Sequence, residues 1–142
     1  LWSVARVTVV LVTFHSEHCA PELGRAMAGF PHDTLVENAS TDDTLAQFGQ
    51  HIPQANVLAN ELNLGFGAAN NRGIWAAKTE FVLLLNPDCV LDAEAVSQLV
   101  RCAAGFLELP LAGLKAHLQR SRLASAFDVH HEGVARHVAG HL

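Results

Sequence analysis

Basic residues are scarce in this sequence. Lysine and arginine together number 9, against 14 aspartate and glutamate residues, and the formal net charge is −5. A general nucleic-acid-binding protein needs a basic surface that neutralises phosphates, and this composition does not supply one. We therefore expect no nucleic-acid partner.

Long hydrophobic runs are also missing. The longest apolar stretch lies near VTVVLVTF (7–14), well short of the roughly 18 residues that a membrane span requires. The opening LWSVAR shows no separate hydrophobic segment with a cleavage site, so we expect no signal peptide. The first residue is not Met, which is compatible with a fragment. We expect a cytoplasmic location without a transmembrane segment; peripheral association with the inner face of the membrane and oligomer formation stay open.

Cysteine is rare and scattered. Cys19, Cys89 and Cys102 are odd in number and lack metal-ligand spacing. This pattern predicts reduced thiols rather than a disulfide framework or a zinc site.

The chain does contain alternating strand and helix patterns. At 142 residues, half of them apolar, it can bury the core of one domain. Apolar runs predict strands at 7–14, 34–38, 55–60 and 80–85. The helices between them carry Pro21 in a first turn, Gly29 as a stop, Ser40 or Thr41 as an N-cap, and Asp92 at the start of the fourth. Strand–helix alternation predicts an α/β fold with a mostly parallel sheet and helices on both faces.

The pattern changes near Gly105. The segment after Pro110 could hold a helix, whereas DVHHEGVARHVAGHL (128–142) has no clear period. The sequence thus predicts an α/β domain over residues 1–104 and a tail without a clear domain over 105–142.

Polar residues follow the predicted strands at their carboxyl ends, where open α/β sheets bind ligands. Each has an alternative structural interpretation. Thr13 could simply pack its methyl group, and Asp88 could be a turn residue after Pro87. Gly65 and Gly67 could serve a tight turn, since GFGAAN lacks the third glycine of a dinucleotide fingerprint. An NAD-linked oxidoreductase therefore has little support.

Four ordered segments nevertheless form a specific combination: VTVVLVTFHS, LVENASTDDT, NLGFGAANNRGI and LLLNPDCVL. Together they resemble the family 2 glycosyltransferases of the GT-A fold, and look closest to the rhamnosyltransferase-like branch. The resemblance runs from about Val7 to Ala104. It implies the nucleotide-diphospho-sugar-binding half of a Rossmann-like GT-A fold, truncated after that half.

The resemblance also implies roles for individual residues. Asp88 would hold Mg²⁺ or Mn²⁺ against the diphosphate of a nucleoside-diphosphate sugar, in an Asn-Pro-Asp form of the family's Asp-x-Asp motif. The nucleotide-sugar-binding residues would be Thr13, Glu37, Asn38, Ser40, Asn63, Gly65, Asn70, Asn71 and Asn86. The implied activity is metal-dependent, inverting transfer of a sugar to a glycan or lipid-linked acceptor.

Three positions depart from the family pattern. Glu37 stands where Asp is usual, which could shift donor choice or affinity. Asp43 replaces a usual Gly in the loop after the second strand. Asn70 stands where many relatives have Arg, although the rhamnosyltransferase-like branch often has Asn.

The general base that an inverting transferase needs cannot be assigned. Asp128 and Glu132 are acidic, but their surroundings do not match the family. The tail histidines His130, His131, His137 and His141 include a pair four residues apart, yet a solvated surface is the better interpretation than a metal site. Two hypotheses follow: a glycosyltransferase or its donor-binding portion, and a catalytically incompetent remnant that only binds nucleotide.

Overall fold

The computed structural model describes residues 4–89, 91–107, 126–129 and 135–138. Its sheet has the strand order β3-β2-β1-β4-β5-β6. The strands are β1 (Val7–Thr13), β2 (Asp33–Glu37), β3 (Asn56–Ala59), β4 (Phe81–Leu85), β5 (Ala126–Val129) and β6 (Ala135–Val138). The helices are α1 (Ala20–Met27), α2 (Thr44–His51), α3 (Phe66–Ala76) and α4 (Ala93–Leu107), with 3₁₀ turns at Val4–Arg6 and Glu17–Cys19.

The first four strands are parallel, as their order with the helices predicts. β1 pairs with both β2 and β4, and β2 also pairs with β3. Every residue of β1 and β2 is buried, because helices cover both faces of these central strands. The predicted α/β fold class with a mostly parallel sheet is therefore confirmed.

Two apolar clusters hold the helices against the sheet. On one face, side chains of α1, α2 and α4 pack against alternate residues of the strands, among them Val9, Leu11 and Leu35. On the other face, α3 packs against Val10 and Val36. A Cβ atom at Gly73 would overlap with the Val10 side chain, so glycine at this position lets α3 approach the sheet closely.

Helix starts agree with the sequence only in part. Pro21 lies in the first turn of α1, and Asp92 Oδ1 accepts a hydrogen bond from the backbone N–H of Ala95 at 2.7 Å. The prediction of Ser40 or Thr41 as the N-cap of α2 is wrong. That helix begins at Thr44, because Asp42 Oδ1 accepts from both the N–H and the hydroxyl of Thr44 and closes a turn ahead of the helix.

The tail contributes strands that the sequence pattern did not reveal. β5 pairs antiparallel with β4, and β6 pairs antiparallel with β5. Asp128 lies in β5, and His137 lies in β6. The predicted helix after Pro110, and Glu132, His130, His131 and His141, lie outside the described residues. Within the described part of the chain, no helix is long and apolar enough to cross a membrane.

Candidate nucleotide-sugar site

An open cleft of about 530 Å³ lies at the carboxyl ends of the parallel strands. Its walls come from the segments that follow β1, β2 and β4, and from the start of α3. Five of the residues predicted to form the site line this cleft: Asn38, Asn63, Gly65, Asn86 and Asp88. The tertiary structure thus brings together residues as far apart in the sequence as Phe14 and Asp88, and the volume falls within the range of small-molecule sites.

Asp88 presents its carboxylate at the surface of this cleft. It lies in a turn after β4 in which the Cys89 N–H donates to the Asn86 carbonyl at 3.0 Å. The side chains of Asn86 and Asp88 are both exposed. Among the described residues no cation pairs with Asp88, and its one side-chain hydrogen bond comes from the Cys89 thiol, which donates to Oδ1 at 3.8 Å. The turn and the ligand interpretations of Asp88 are therefore compatible, because the turn leaves the carboxylate available.

The negative charge of Asp88 also affects Cys19 in the same cleft. Burial raises the pKa of the Cys19 thiol, and the carboxylates of Asp88 and Glu22 raise it further. Cys19 lines the same cleft, just before α1. The Asp88 carboxylate therefore makes the local potential negative, which favours a bound cation.

Asn38 is the centre of a hydrogen-bond network at the end of β2. Its amide donates to Asn63 Oδ1 at 2.7 Å, and its Oδ1 accepts from the Asn60 amide at 2.9 Å and from the Leu64 N–H at 3.0 Å. Asn63 Oδ1 accepts in turn from the Gly65 N–H. Because both ends of the Asn38 amide are engaged, this side chain fixes the loop between β3 and α3, which forms one wall of the cleft.

Glu37 performs a similar task for the loop after β2. Its side chain is buried, and its two carboxylate oxygens accept from the N–H groups of Ala39 at 3.1 Å and Ser40 at 2.8 Å. The Ser40 hydroxyl accepts from the His15 N–H. Thr13 is fully buried, and its hydroxyl has no partner among the described residues. These three side chains do not line the cleft; they lie behind its wall.

The α3 segment divides into residues that face the cleft and residues that do not. Gly65 has φ = 78°, a left-handed conformation that favours glycine, and precedes the first helical residue. Gly65 and Phe66 line the cleft. Asn70 is buried and donates to the Phe66 carbonyl within the helix, whereas Asn71 is exposed and does not line the cleft. The start of α3 therefore meets the cleft, and its second turn does not.

Sequence reasoning missed the segment that follows β1. Several of its residues line the cleft, namely Phe14, His15, Ser16, His18 and Cys19. A signal for them was present, because they come directly after a buried strand at the edge where ligands bind. Phe66, which also lines the cleft, was missed as well, although it directly follows Gly65 of the predicted site.

The donor set fits a hard divalent cation. Asp88 offers a carboxylate and Asn86 an amide oxygen, and oxygen ligands are the ones that Mg²⁺ prefers. In the parts of the chain that the structure describes, no group of three His, Cys, Asp or Glu side chains is placed to hold a metal. Mg²⁺ commonly uses only one or two protein carboxylates together with phosphate oxygens and water. A lone carboxylate in an open cleft suits a cation that arrives with a phosphorylated ligand.

Comparison with known families and proteins gives a consistent result. The family model described as "Glycosyl transferase family 2" matches residues 34–105. Proteins called uncharacterized glycosyltransferases in Mycobacterium tuberculosis and Mycobacterium bovis are 34% identical over 94 residues, which is 66% of this chain and 42% of theirs. The chain thus spans less than half the length of these relatives.

Solved structures show the same architecture. S. aureus TarS (residues 1–349) superimposes with a TM-score of 0.56 at 26% identity, over 72% of this chain and 32% of TarS, and it has also been solved with UDP. Glucosyl-3-phosphoglycerate synthase from Mycobacterium tuberculosis, solved with Mg²⁺ and UDP, has a TM-score of 0.50 at 21% identity, over 59% of this chain and 34% of that one. The latter similarity supports the fold alone.

Proposed function

The chain belongs to glycosyl transferase family 2, and on that premise we propose that it binds a nucleoside-diphosphate sugar as the donor portion of a glycosyltransferase. One observation carries this proposal. The ends of β1, β2 and β4 and the start of α3 meet in one cleft whose exposed carboxylate, Asp88, has no cation partner among the described residues. We assign donor binding to residues 1–104.

Different walls of the cleft suit different parts of such a donor. Asp88 and Asn86 would hold Mg²⁺ or Mn²⁺, which stabilises the negative charge that develops on the departing diphosphate. The start of α3 adds backbone N–H groups and the positive end of a helix dipole, both of which favour phosphate oxygens. The loops fixed by Glu37 and Asn38 form the wall on the β2 side, which is left for the nucleoside.

The finer assignments depend on the resemblance of the sequence motifs. We propose a metal-dependent, inverting transfer related to the rhamnosyltransferase-like branch, with a glycan or lipid-linked acceptor in polysaccharide biosynthesis. Such an acceptor would agree with a cytoplasmic protein that works at the inner face of the membrane. The binding roles of Thr13 and Ser40 would be indirect, since both support the wall.

Isothermal titration calorimetry with UDP, GDP and dTDP, each with and without Mn²⁺, tests donor binding. We expect at least one nucleotide to bind in a Mn²⁺-dependent manner, and Asp88→Asn to weaken that binding about tenfold or more, because the variant removes the charged ligand. Asp43→Asn is a matched control, since Asp43 is exposed and does not line the cleft. Equal metal dependence in wild type and Asp88→Asn would refute the metal assignment.

Turnover of a sugar nucleotide separates the enzyme from a protein that only binds nucleotide. Incubation with sugar nucleotides and lipid-linked acceptors should give a glycoside if the chain carries a complete site. Mn²⁺-dependent binding without any glycoside would support the second hypothesis, that of a non-catalytic nucleotide-binding remnant.

A further inference from the structure

His15 is held in an unusual backbone conformation at the end of β1. Its φ is 48°, and Ala39, at the end of the neighbouring strand β2, has φ = 64°. Residues other than glycine seldom adopt such positive φ values, and the cost is of order 1 kcal/mol or more at each residue. Backbone strain of this kind concentrates at functional sites. Two strained residues at adjacent strand ends therefore favour a functional role for this side of the cleft.

Hydrogen bonds to the β2 loop fix His15 in this conformation. Its backbone N–H donates to the Ser40 hydroxyl at 3.0 Å. Its Nε2 accepts from the Thr41 N–H at 3.2 Å and lies 3.0 Å from the Thr41 hydroxyl. The imidazole also stacks on the Phe14 ring, with centroids 4.1 Å apart and an interplanar angle of 22°. The ring is thus held in one orientation although the residue is exposed.

These contacts determine which ring nitrogen is available. A nitrogen that accepts the Thr41 N–H carries a lone pair, so in the neutral imidazole the proton lies on Nδ1. Nδ1 has no hydrogen-bond partner within the described residues. His15 lines the cleft. The contacts with Thr41 therefore hold the ring in one orientation and leave one N–H donor, at Nδ1, available to a ligand.

The position of His15 in the sheet indicates which part of a ligand it meets. The hydrogen bond from the Thr41 N–H to His15 connects the end of β1 to the loop after β2, whereas Asp88 follows β4 on the other side of β1. Neighbouring strands lie about 4.8 Å apart, so the β2 side is displaced by about 10 Å from the strand that carries Asp88. With the diphosphate near Asp88, the nucleoside would occupy the β2 side.

We propose that His15 is a specificity residue whose Nδ1–H donates a hydrogen bond to an oxygen of the donor's nucleoside, on the base or the ribose. This inference rests on the proposed function, because it assigns a residue of the same cleft to one part of the nucleotide. It does not require His15 to change protonation state, because the hydrogen bond from the Thr41 N–H to Nε2 already selects the neutral form with its proton on Nδ1.

Two substitutions separate a direct contact from a supporting one. In His15→Asn the amide nitrogen can occupy the Nδ1 position and keep the N–H donor, but the contacts of Nε2 with Thr41 are lost. In His15→Gln the side-chain oxygen can reach the Nε2 position and accept the Thr41 N–H, but nothing remains at Nδ1. We expect His15→Gln to weaken binding of the preferred nucleoside diphosphate about 3- to 10-fold, the effect of one neutral hydrogen bond, and His15→Asn to weaken it less.

Calorimetry with the nucleoside diphosphate and with Mn²⁺–pyrophosphate measures this directly, and urea unfolding checks that each variant is folded. Affinity for pyrophosphate should be equal in wild type and both variants. If His15→Gln binds the nucleotide as tightly as wild type, or more tightly than His15→Asn, the direct contact is refuted while the proposed function stands. If wild type binds no nucleotide at all, the proposed function itself fails.

Discussion

The buried carboxyl group of Asp33 gives a prediction whose size follows from the structure. Asp33 begins β2, and its side chain is 4% exposed. Gln54 donates to Oδ2 at 3.0 Å, and Oδ1 has no partner among the described residues. Burial raises the pKa of Asp33 from 3.8 to about 6, against the opposing effect of the Gln54 hydrogen bond. The charged form is therefore destabilised in the folded protein.

The sign of the pH effect follows from linkage. Because the folded-state pKa is the higher one, the folded state binds more protons, and this contribution to stability is complete below pH 3.8 and is lost as the pH rises through 6. At about 1.36 kcal/mol per pKa unit the full contribution is at most about 3 kcal/mol. Between pH 8 and pH 4.5 we expect about 2 kcal/mol of it to appear.

Asp33→Asn removes the titrating group and isolates its contribution. The free energy of unfolding, measured by urea denaturation at pH 4.5, 6 and 8, should differ between wild type and variant in a pH-dependent way. Relative to wild type, the variant should gain about 2 kcal/mol on going from pH 4.5 to pH 8. Any constant effect of the new amide cancels in that comparison.

A matched control is Asp43→Asn, since Asp43 is exposed. Its curve should run parallel to that of wild type. Parallel curves for Asp33→Asn as well would refute the reasoning, because they would mean that burial of this carboxyl group does not change its proton affinity on folding.

Two further substitutions test the framework of the site. Glu37→Ala leaves two backbone N–H groups of the β2 loop without their acceptor and should lower the free energy of unfolding by about 2–4 kcal/mol, together with nucleotide affinity; unchanged urea stability would contradict this. Gly73→Ala places a methyl group against Val10 and should lower the free energy of unfolding by about 1–3 kcal/mol. Gly67→Ala is the control and should not destabilise the protein, because a Cβ atom there meets no atom within 4 Å. Equal thermal midpoints for the two variants would contradict the close helix–sheet packing.

The structure changes the meaning of two departures from the family pattern. Glu37 is one methylene longer than Asp, and its carboxylate accepts hydrogen bonds from the backbone N–H groups of Ala39 and Ser40 in the loop that follows. Asn70, the second of these positions, is buried and donates a hydrogen bond to the Phe66 carbonyl. At both positions the polar group faces the protein rather than the cleft. An effect of either residue on donor choice would therefore act through the shape of the wall.

The two strands of the tail, β5 and β6, could not be predicted from the sequence pattern. β5 and β6 are each four residues long, too short for an alternating pattern to stand out from the surrounding composition. The pairing of β5 with β4 joins residues more than 40 positions apart in the sequence, and β6 in turn pairs with β5. A short strand of this kind is stabilised by its pairing with a neighbouring strand of the sheet rather than by the preferences of its own residues.

The sequence by itself determined the four parallel strands, the helices between them and the edge of the sheet at which the candidate site lies. Each of these follows from local periodicity, from helix signals such as Pro21 and Asp92, and from the rule that parallel strands end at one edge. Only the tertiary structure decided which polar residues face the cleft. Glu37 is buried and bound to the loop after β2, whereas Asn38 and His15 line the cleft, and His15 is held there by residues about 25 positions away. Such contacts depend on how loops from different strands meet, and no local pattern in the sequence records that.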